Sequence, residues 1–161
     1  MEKVINELLK FSDEILNLNS PIEDDRINIF ENKFKIILPN DFKKFISKIN
    51  GFTLMGNNVY GFDENLNESI EKVYQFEHFE VNFPQYDYLV PFCNDGRGNF
   101  YCLDTSKNNN DETCPIIFWV SNYEYSTEDT PEIVNNSFIE WINEVIIDWT
   151  LESYNYDGSD K

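Results

Sequence analysis

The sequence predicts an α+β domain: N-terminal helices, then a central, mainly antiparallel twisted sheet of about four to six strands, then a C-terminal helix packed on it. Three observations carry this. Apolar residues recur at helical spacing up to Asn50-Gly51 and again after Ser137. Between those points the runs shorten to strand length and are punctuated by turn residues. The 161 residues include 41% hydrophobic side chains, with 14 Phe, 9 Tyr and 3 Trp, enough to bury a sizeable core and too aromatic for a disordered chain. No repeat, heptad run or linker divides the chain, so 1–161 reads as one domain with a polar tail over 154–161 that is expected to fray.

In order, Val4, Ile5, Leu8, Leu9, Ile15 and Leu16 share one stripe and predict an amphipathic first helix. Ser20-Pro21-Ile22-Glu23 has the form of a capping box with Pro at the first helical position. It predicts a second helix with Ile22, Ile29 and Phe30 inward. A third begins near Pro39, places Phe42, Phe45, Ile46 and Ile49 on one face, and stops at Asn50-Gly51, where glycine accepts a left-handed C-cap. Phe52-Thr53-Leu54 and Val59-Tyr60-Gly61-Phe62 read as short strands joined through Gly56-Asn57-Asn58. Residues 66–83 are ambiguous, with a helical turn or two inside a long connection. Residues 88–93 and 99–104 read as strands joined by Asp95-Gly96-Arg97-Gly98, and Pro91 requires an edge or a bulge. Residues 116–120 are the most strand-like run. An acidic loop over 124–132 leads to the closing helix, opened by the capping box Ser137-Phe138-Ile139-Glu140 and burying Phe138, Trp141, Ile142, Val145 and Trp149.

Charge narrows the function classes. Lys and Arg total 12 against 30 Asp and Glu, a formal net of −18. Residues 1–50 hold 8 basic and 9 acidic side chains, whereas residues 51–161 hold 4 and 21. Such a field repels nucleic acid and anionic membrane and attracts basic partners. The N-terminus MEKVINELLKF is charged and lacks a small-residue cleavage site, so no signal peptide is expected. The odd count of 3 Cys argues against a disulfide scaffold and for a reducing, cytoplasmic setting.

Little catalytic chemistry is legible. His78 is the sole histidine and sits between Glu77 and Phe79, where a satisfied or solvated ring without metal is the expectation. Cys93, Cys102 and Cys114 read as structural thiols, without a nearby base. CxxC, HxH, HExxH, P-loop and GxGxxG patterns are absent, and neither 95–106 nor 104–115 has the acid that closes an EF-hand loop. No catalytic residue, metal site or cofactor is expected.

Three blocks in register carry a resemblance. The first is Ile29-Phe30-Glu31, Leu38-Pro39-Asn40-Asp41-Phe42-Lys43-Lys44-Phe45 and Asn50-Gly51-Phe52. The second is Leu89-Val90-Pro91-Phe92, Asp95-Gly96-Arg97-Gly98-Asn99 and Tyr101-Cys102-Leu103-Asp104. The third is the run 116–119 with Ser137-Phe138-Ile139-Glu140-Trp141-Ile142. From about residue 22 to 147 the chain resembles the SUKH superfamily, Smi/Knr-like branch. Asn99 departs from the pattern, since many relatives carry an acid there. The resemblance implies a non-catalytic α+β immunity protein that neutralises a cognate polymorphic or contact-dependent bacterial toxin, often a nuclease. The alternative it implies is a regulatory interaction module of the eukaryotic kind. A nuclease is basic where it holds phosphates, which the acidic second part would complement. The motif residues are expected to specify the fold. Partner contacts are expected instead on Asp63, Glu64, Glu68, Glu71, Glu124, Tyr125, Glu128, Asp129 and Glu132, chosen for charge and loop position.

Overall fold

A single antiparallel meander organises the chain, in a computed structural model that describes residues 1–23 and 25–161. Its strands follow one another in sequence order: β1 (Leu16–Leu18), β2 (Phe52–Leu54), β3 (Asn57–Val59), β4 (Leu89–Asn94), β5 (Phe100–Asp104), β6 (Ile116–Trp119) and β7 (Glu132–Asn135). The sheet thus has 7 strands, slightly more than expected. Both additions are edges. Helix α1 (Glu2–Leu8) is shorter than its stripe suggested, and Leu16 leaves it to pair with Leu54. At the other edge β7 emerges from the acidic loop and pairs with β6, its Glu132 and Ile133 exposed. Strands of three or four residues with one face in solvent show almost no alternation, so sequence periodicity passes over them.

Helix α2 (Arg26–Phe34) starts later than the Ser20-Pro21 signal predicts. The chain beyond β1 stays extended instead. Asn19 N–H donates to Gly51 at 3.1 Å, and the Ser20 carbonyl accepts from Asn50 Nδ2 at 2.9 Å. Those tertiary bonds outweigh a local cap worth about 1 kcal/mol. Of the predicted inward side chains only Phe30 is buried; Ile22 is partly buried and Ile29 lies exposed. Helix α3 (Asn40–Ile46) starts where expected, with Phe42, Phe45, Ile46 and Ile49 all buried, but it ends at Ile46 with Ser47 as its C-cap, short of Asn50-Gly51.

The Asn50-Gly51 pair, four residues beyond the end of α3, fixes the entry to the β2–β3 hairpin. Asn50 Oδ1 accepts from Phe62 N–H at 2.7 Å, so one buried amide ties together the segments that enter and leave the β2–β3 hairpin. Gly51 has φ +76°, and a Cβ there would lie 2.5 Å from Gly61 N. Only glycine lets the two backbones pass. The hairpin turn itself is Met55-Gly56, one step earlier than predicted, both residues having positive φ. Pro91 sits at a bulge, where β4 slips register against β5 between Pro91 and Cys93.

Helices cover both faces of the sheet. On one face, Tyr101 meets Trp141, and Phe92 meets Phe42, Phe138 and Trp141. Helix α3 and the closing helix lie on this side. On the other, Phe100 and Cys102 look toward α4 (Ile70–Phe79), against which α2 packs through Phe30, Phe34 and Tyr74. The closing helix runs as α5 (Phe138–Trp141), a π-helical stretch (Ile142–Asp148) and α6 (Trp149–Ser153). Its i→i+5 winding shifts the inward stripe by one residue. Ile146 and Thr150 take the buried places predicted for Val145 and Trp149, and Trp149 is left 57% exposed. The tail folds back on the start of the chain: Tyr154 bridges to Asp160, Tyr156 lies tilted against Phe11, and its hydroxyl donates to Glu7 on α1.

Candidate functional site: a groove beside the fourth helix

Helix α4 is opened by Ser69, whose hydroxyl accepts from Lys72 N–H, and its inward stripe is Ile70, Tyr74 and Glu77. Apolar residues occupy the first two positions and seal against α2 and the sheet. The third carries a carboxylate. Beside it runs a groove of about 680 Å³, with Tyr60, Val73, Phe76 and Phe100 supplying apolar wall and Glu77 reaching it from below. Glu64, Glu68, Glu71 and Glu80 stand along its margin. Three large apolar side chains lie exposed near this end of α4: Phe76 at 51%, Phe79 at 64% and Phe83 at 39%.

The structure brings three of the predicted partner-contacting acids to this groove. Arg26 Nη2 lies 3.3 Å from Glu64 and 3.7 Å from Glu71, and Lys33 Nζ lies 2.8 Å from Glu71. Glu68 accepts from Asn58 Nδ2 at 3.0 Å. Lys72 gives its ammonium to the carbonyls of Glu64 and Leu66 at 2.7 and 2.6 Å. Asp63 is only half-buried nearby and braces its own turn, accepting from Asn65 N–H at 2.9 Å.

Glu77 has no such partner. It is 5% exposed, and its carboxylate finds no hydrogen bond or ion pair among the described residues. Burial pushes its carboxyl up to about 7 from the ordinary 4.5. The apolar pattern over 66–83 does not fix a phase by itself, so neither Glu77 nor Phe76 stands out in the sequence. Once Ile70 and Tyr74 fix the phase, an acid at the next inward position is the signal that marks it.

The second predicted cluster, on the 121–132 loop, is differently built. Tyr125 is not free: its ring stacks 4.0 Å from Trp119, and its hydroxyl accepts from Val120 N–H at 3.1 Å. Asp129 accepts from Ser126 N–H at 2.6 Å, and that bond holds its carboxyl below the usual range. Glu124, Glu128 and Glu132 point into solvent. The two clusters are linked through the sheet, since Phe100 of the groove pairs with Trp119 beneath Tyr125.

A profile of the SUKH_5 family, described as SMI1-KNR4 cell-wall, matches residues 1–147. The chain belongs to the SUKH family. No curated protein is significantly similar to it. Among solved structures, the crystal structure of a protein from Pseudomonas syringae pv. tomato matches with a TM-score of 0.66. Identity is 18%, and the match covers 92% of this chain and 99% of that one, a likeness that speaks for the fold alone.

The motif residues of this SUKH chain all have structural employment. Glu31 Oε1 accepts from Leu38 N–H at 2.8 Å and from Lys43 Nζ at 3.2 Å, clamping α2 to the start of α3. Asp95 accepts from the amides of Arg97 and Asn99 and from Asn99 Nδ2 at 2.7 Å. Asn99 turns its oxygen to Ser121 N–H at 3.3 Å. An acid at position 99 would lose the bond that Asn99 Nδ2 gives to Asp95 and face its charge. Asp104, 3% exposed, accepts from Ser106 Oγ at 2.6 Å and pairs with Lys107 at 3.1 Å.

The remaining chemistry-bearing side chains are likewise enclosed. Cys93, Cys102 and Cys114 are free and buried, and burial raises each thiol. His78 lies against Tyr74, ring centroids 3.7 Å apart, with Nδ1 2.8 Å from the Tyr74 carbonyl and Nε2 3.1 Å from that of Tyr86. Burial lowers its pKa, opposed by those carbonyls. Among the described residues no group of His, Cys, Asp and Glu could hold a metal ion, and no helix is long and apolar enough to cross a membrane.

Proposed function

We propose that this SUKH protein is a non-catalytic immunity protein of the cytoplasm. It binds a cognate bacterial toxin of the polymorphic or contact-dependent kind, a basic nuclease, and silences it by covering its active surface. The observation that carries this reading is the groove beside α4, where exposed Phe76 adjoins a margin of carboxylates and Phe79 lies exposed on the same helix. Apolar anchors inside a charged rim are the layout of a protein-binding surface, the anchors holding and the rim steering. The net charge over residues 51–161, 4 basic against 21 acidic side chains, supplies the long-range attraction to a basic partner.

The test reads the genes that flank this one and co-expresses the protein with a toxin domain encoded there; flanking genes without a toxin would count against the reading. The wild type should restore growth and form a stoichiometric complex, and Phe76→Ala with Phe79→Ala should abolish both without unfolding the protein. Failure to protect, with an endogenous protein captured through the same groove, would favour the regulatory interaction module.

A further inference from the structure

We propose that Glu77 is the seat for one long cationic side chain, an arginine or lysine presented by the partner protein and inserted into the groove beside α4. This rests on the reading that a protein occupies the groove, and it names what that protein must bring.

A carboxylate can accept several hydrogen bonds, and buried polar groups in folded proteins are nearly always satisfied. Glu77 is 5% exposed, reaches the groove, and accepts none among the described residues. Its own chain has no cation to spare for it. Arg26 is spent on Glu64 and Glu71, Lys33 on Glu71, and Lys72 on two carbonyls. The Glu77 oxygens open to the groove, so solvent serves them when the groove is empty, and a cationic donor has to be brought by a partner.

The shape of the groove selects its chemistry. Val73, Phe76, Tyr60 and Phe100 offer apolar and aromatic surface along which an aliphatic stem can lie, while the charge collects at the end. Aromatic faces also attract cations. A guanidinium suits a lone carboxylate best, because its fork can engage both oxygens at once. A metal ion would need further ligands that the floor does not provide.

Occupancy is coupled to a proton. The groups around Glu77 are Arg26 and Lys33 from α2, Tyr60, Glu64 and Glu68 from the connection before α4, Glu71, Lys72 and Glu80 from α4 itself, and Cys102 behind it on β5. His78 turns away to the carbonyls of Tyr74 and Tyr86. With the groove empty, burial leaves Glu77 part-protonated near neutrality. An arriving cation favours the ionised form and expels the proton.

The experiment follows the Glu77 side-chain carboxyl by carbon NMR in the whole protein. The probes are N-acetyl-arginine amide and its uncharged analogue N-acetyl-citrulline amide. The arginine probe should lower the Glu77 midpoint by about one unit, a roughly tenfold preference for the ionised form. The citrulline probe should leave it in place. Glu77→Gln, with its fold verified by amide spectra, should lose about tenfold in affinity for the arginine probe. An unmoved Glu77 resonance, equal effects of the two probes, or full affinity in Glu77→Gln would each overturn the proposal. Toxin protection separates it from the functional reading. Equal protection by wild type and Glu77→Gln would remove the seat and keep the immunity role. Arginine binding at Glu77 without protection would do the reverse.

Discussion

Under α3 and the closing helix, Phe42, Phe45, Phe92, Phe138 and Trp141 meet nearly edge to face, their centroids 4.8 to 5.2 Å apart. All five are fully buried. Across the sheet, under α4, the layer does not close: a groove of about 680 Å³ remains, Phe76 faces water, and a carboxylate occupies an inward position. Phe42, Phe45, Phe92, Phe138 and Trp141 make one face cohesive, whereas the open face is where we propose that a partner is met.

The closed face should yield the largest effect. Phe138 touches Phe42, Phe45 and Phe92, so Phe138→Ala opens a cavity that rigid neighbours cannot refill. The expected loss is about 3–5 kcal/mol, read by urea denaturation, which is a large share of a domain's stability. An unchanged midpoint would mean that this face is not the cohesive one.

The open face should respond in the opposite direction. Glu77 has a folded pKa of about 7, above the ordinary 4.5, so the folded state holds its proton more tightly than the unfolded state does. Its contribution to stability is therefore complete below 4.5, fades as the pH rises toward 7, and stays lost above that. Glu77→Gln removes the charge and should stabilise the protein by about 1–2 kcal/mol at pH 8, less than the full shift because its oxygens open to the groove, with almost no gain at pH 4. Paired denaturation curves at the two pH values measure it. A gain that does not vary with pH would place the effect in packing instead. Phe76→Ala, by contrast, should shift stability by less than about 0.5 kcal/mol, because half of the ring is already in water. The same change should weaken toxin binding by about 2 kcal/mol if the ring is an anchor.

This asymmetry also explains what the sequence revealed. Helix α3, the hairpin around Asp95-Gly96-Arg97-Gly98 and the start of the closing helix were legible, because each joins strong periodicity to an unambiguous cap or turn. Ser20-Pro21 misled because long-range bonds to Asn50 and Gly51 claimed that stretch for extended chain. The one-residue slip at Trp149 came from π winding, which leaves no mark in an apolar pattern. Charge and loop position found Glu64, Glu68 and Glu71 at the groove but not Glu77, since a buried acid differs from a solvated one only through its surroundings. Those surroundings come from α2, β5 and α4 together.

The smallest effects belong to the loop over 121–132, and they sharpen the contrast between charge that is used inside the chain and charge that is free. Asp129 is used: its carboxylate holds the Ser126 amide at 2.6 Å. Asp129→Asn should leave global stability within about 0.5 kcal/mol and raise the exchange rate of the Ser126 amide several-fold, since only a local opening is released. Glu128 is exposed, its carboxylate accepts no bond among the described residues, and Glu128→Gln should leave every amide in the loop as it was. If the loop steers a basic toxin, the free acid should still be felt before contact. Association should slow on Glu128→Gln at low salt, and the difference should vanish near 1 M, where the Debye length has shrunk to about 3 Å. Dissociation should stay unchanged, because rim charges govern encounter more than residence. Stopped-flow binding across a salt series resolves the two rates. An effect of Glu128→Gln on dissociation would place this loop inside the contact, beside the groove, and would break the distinction between the steering surface and the holding one.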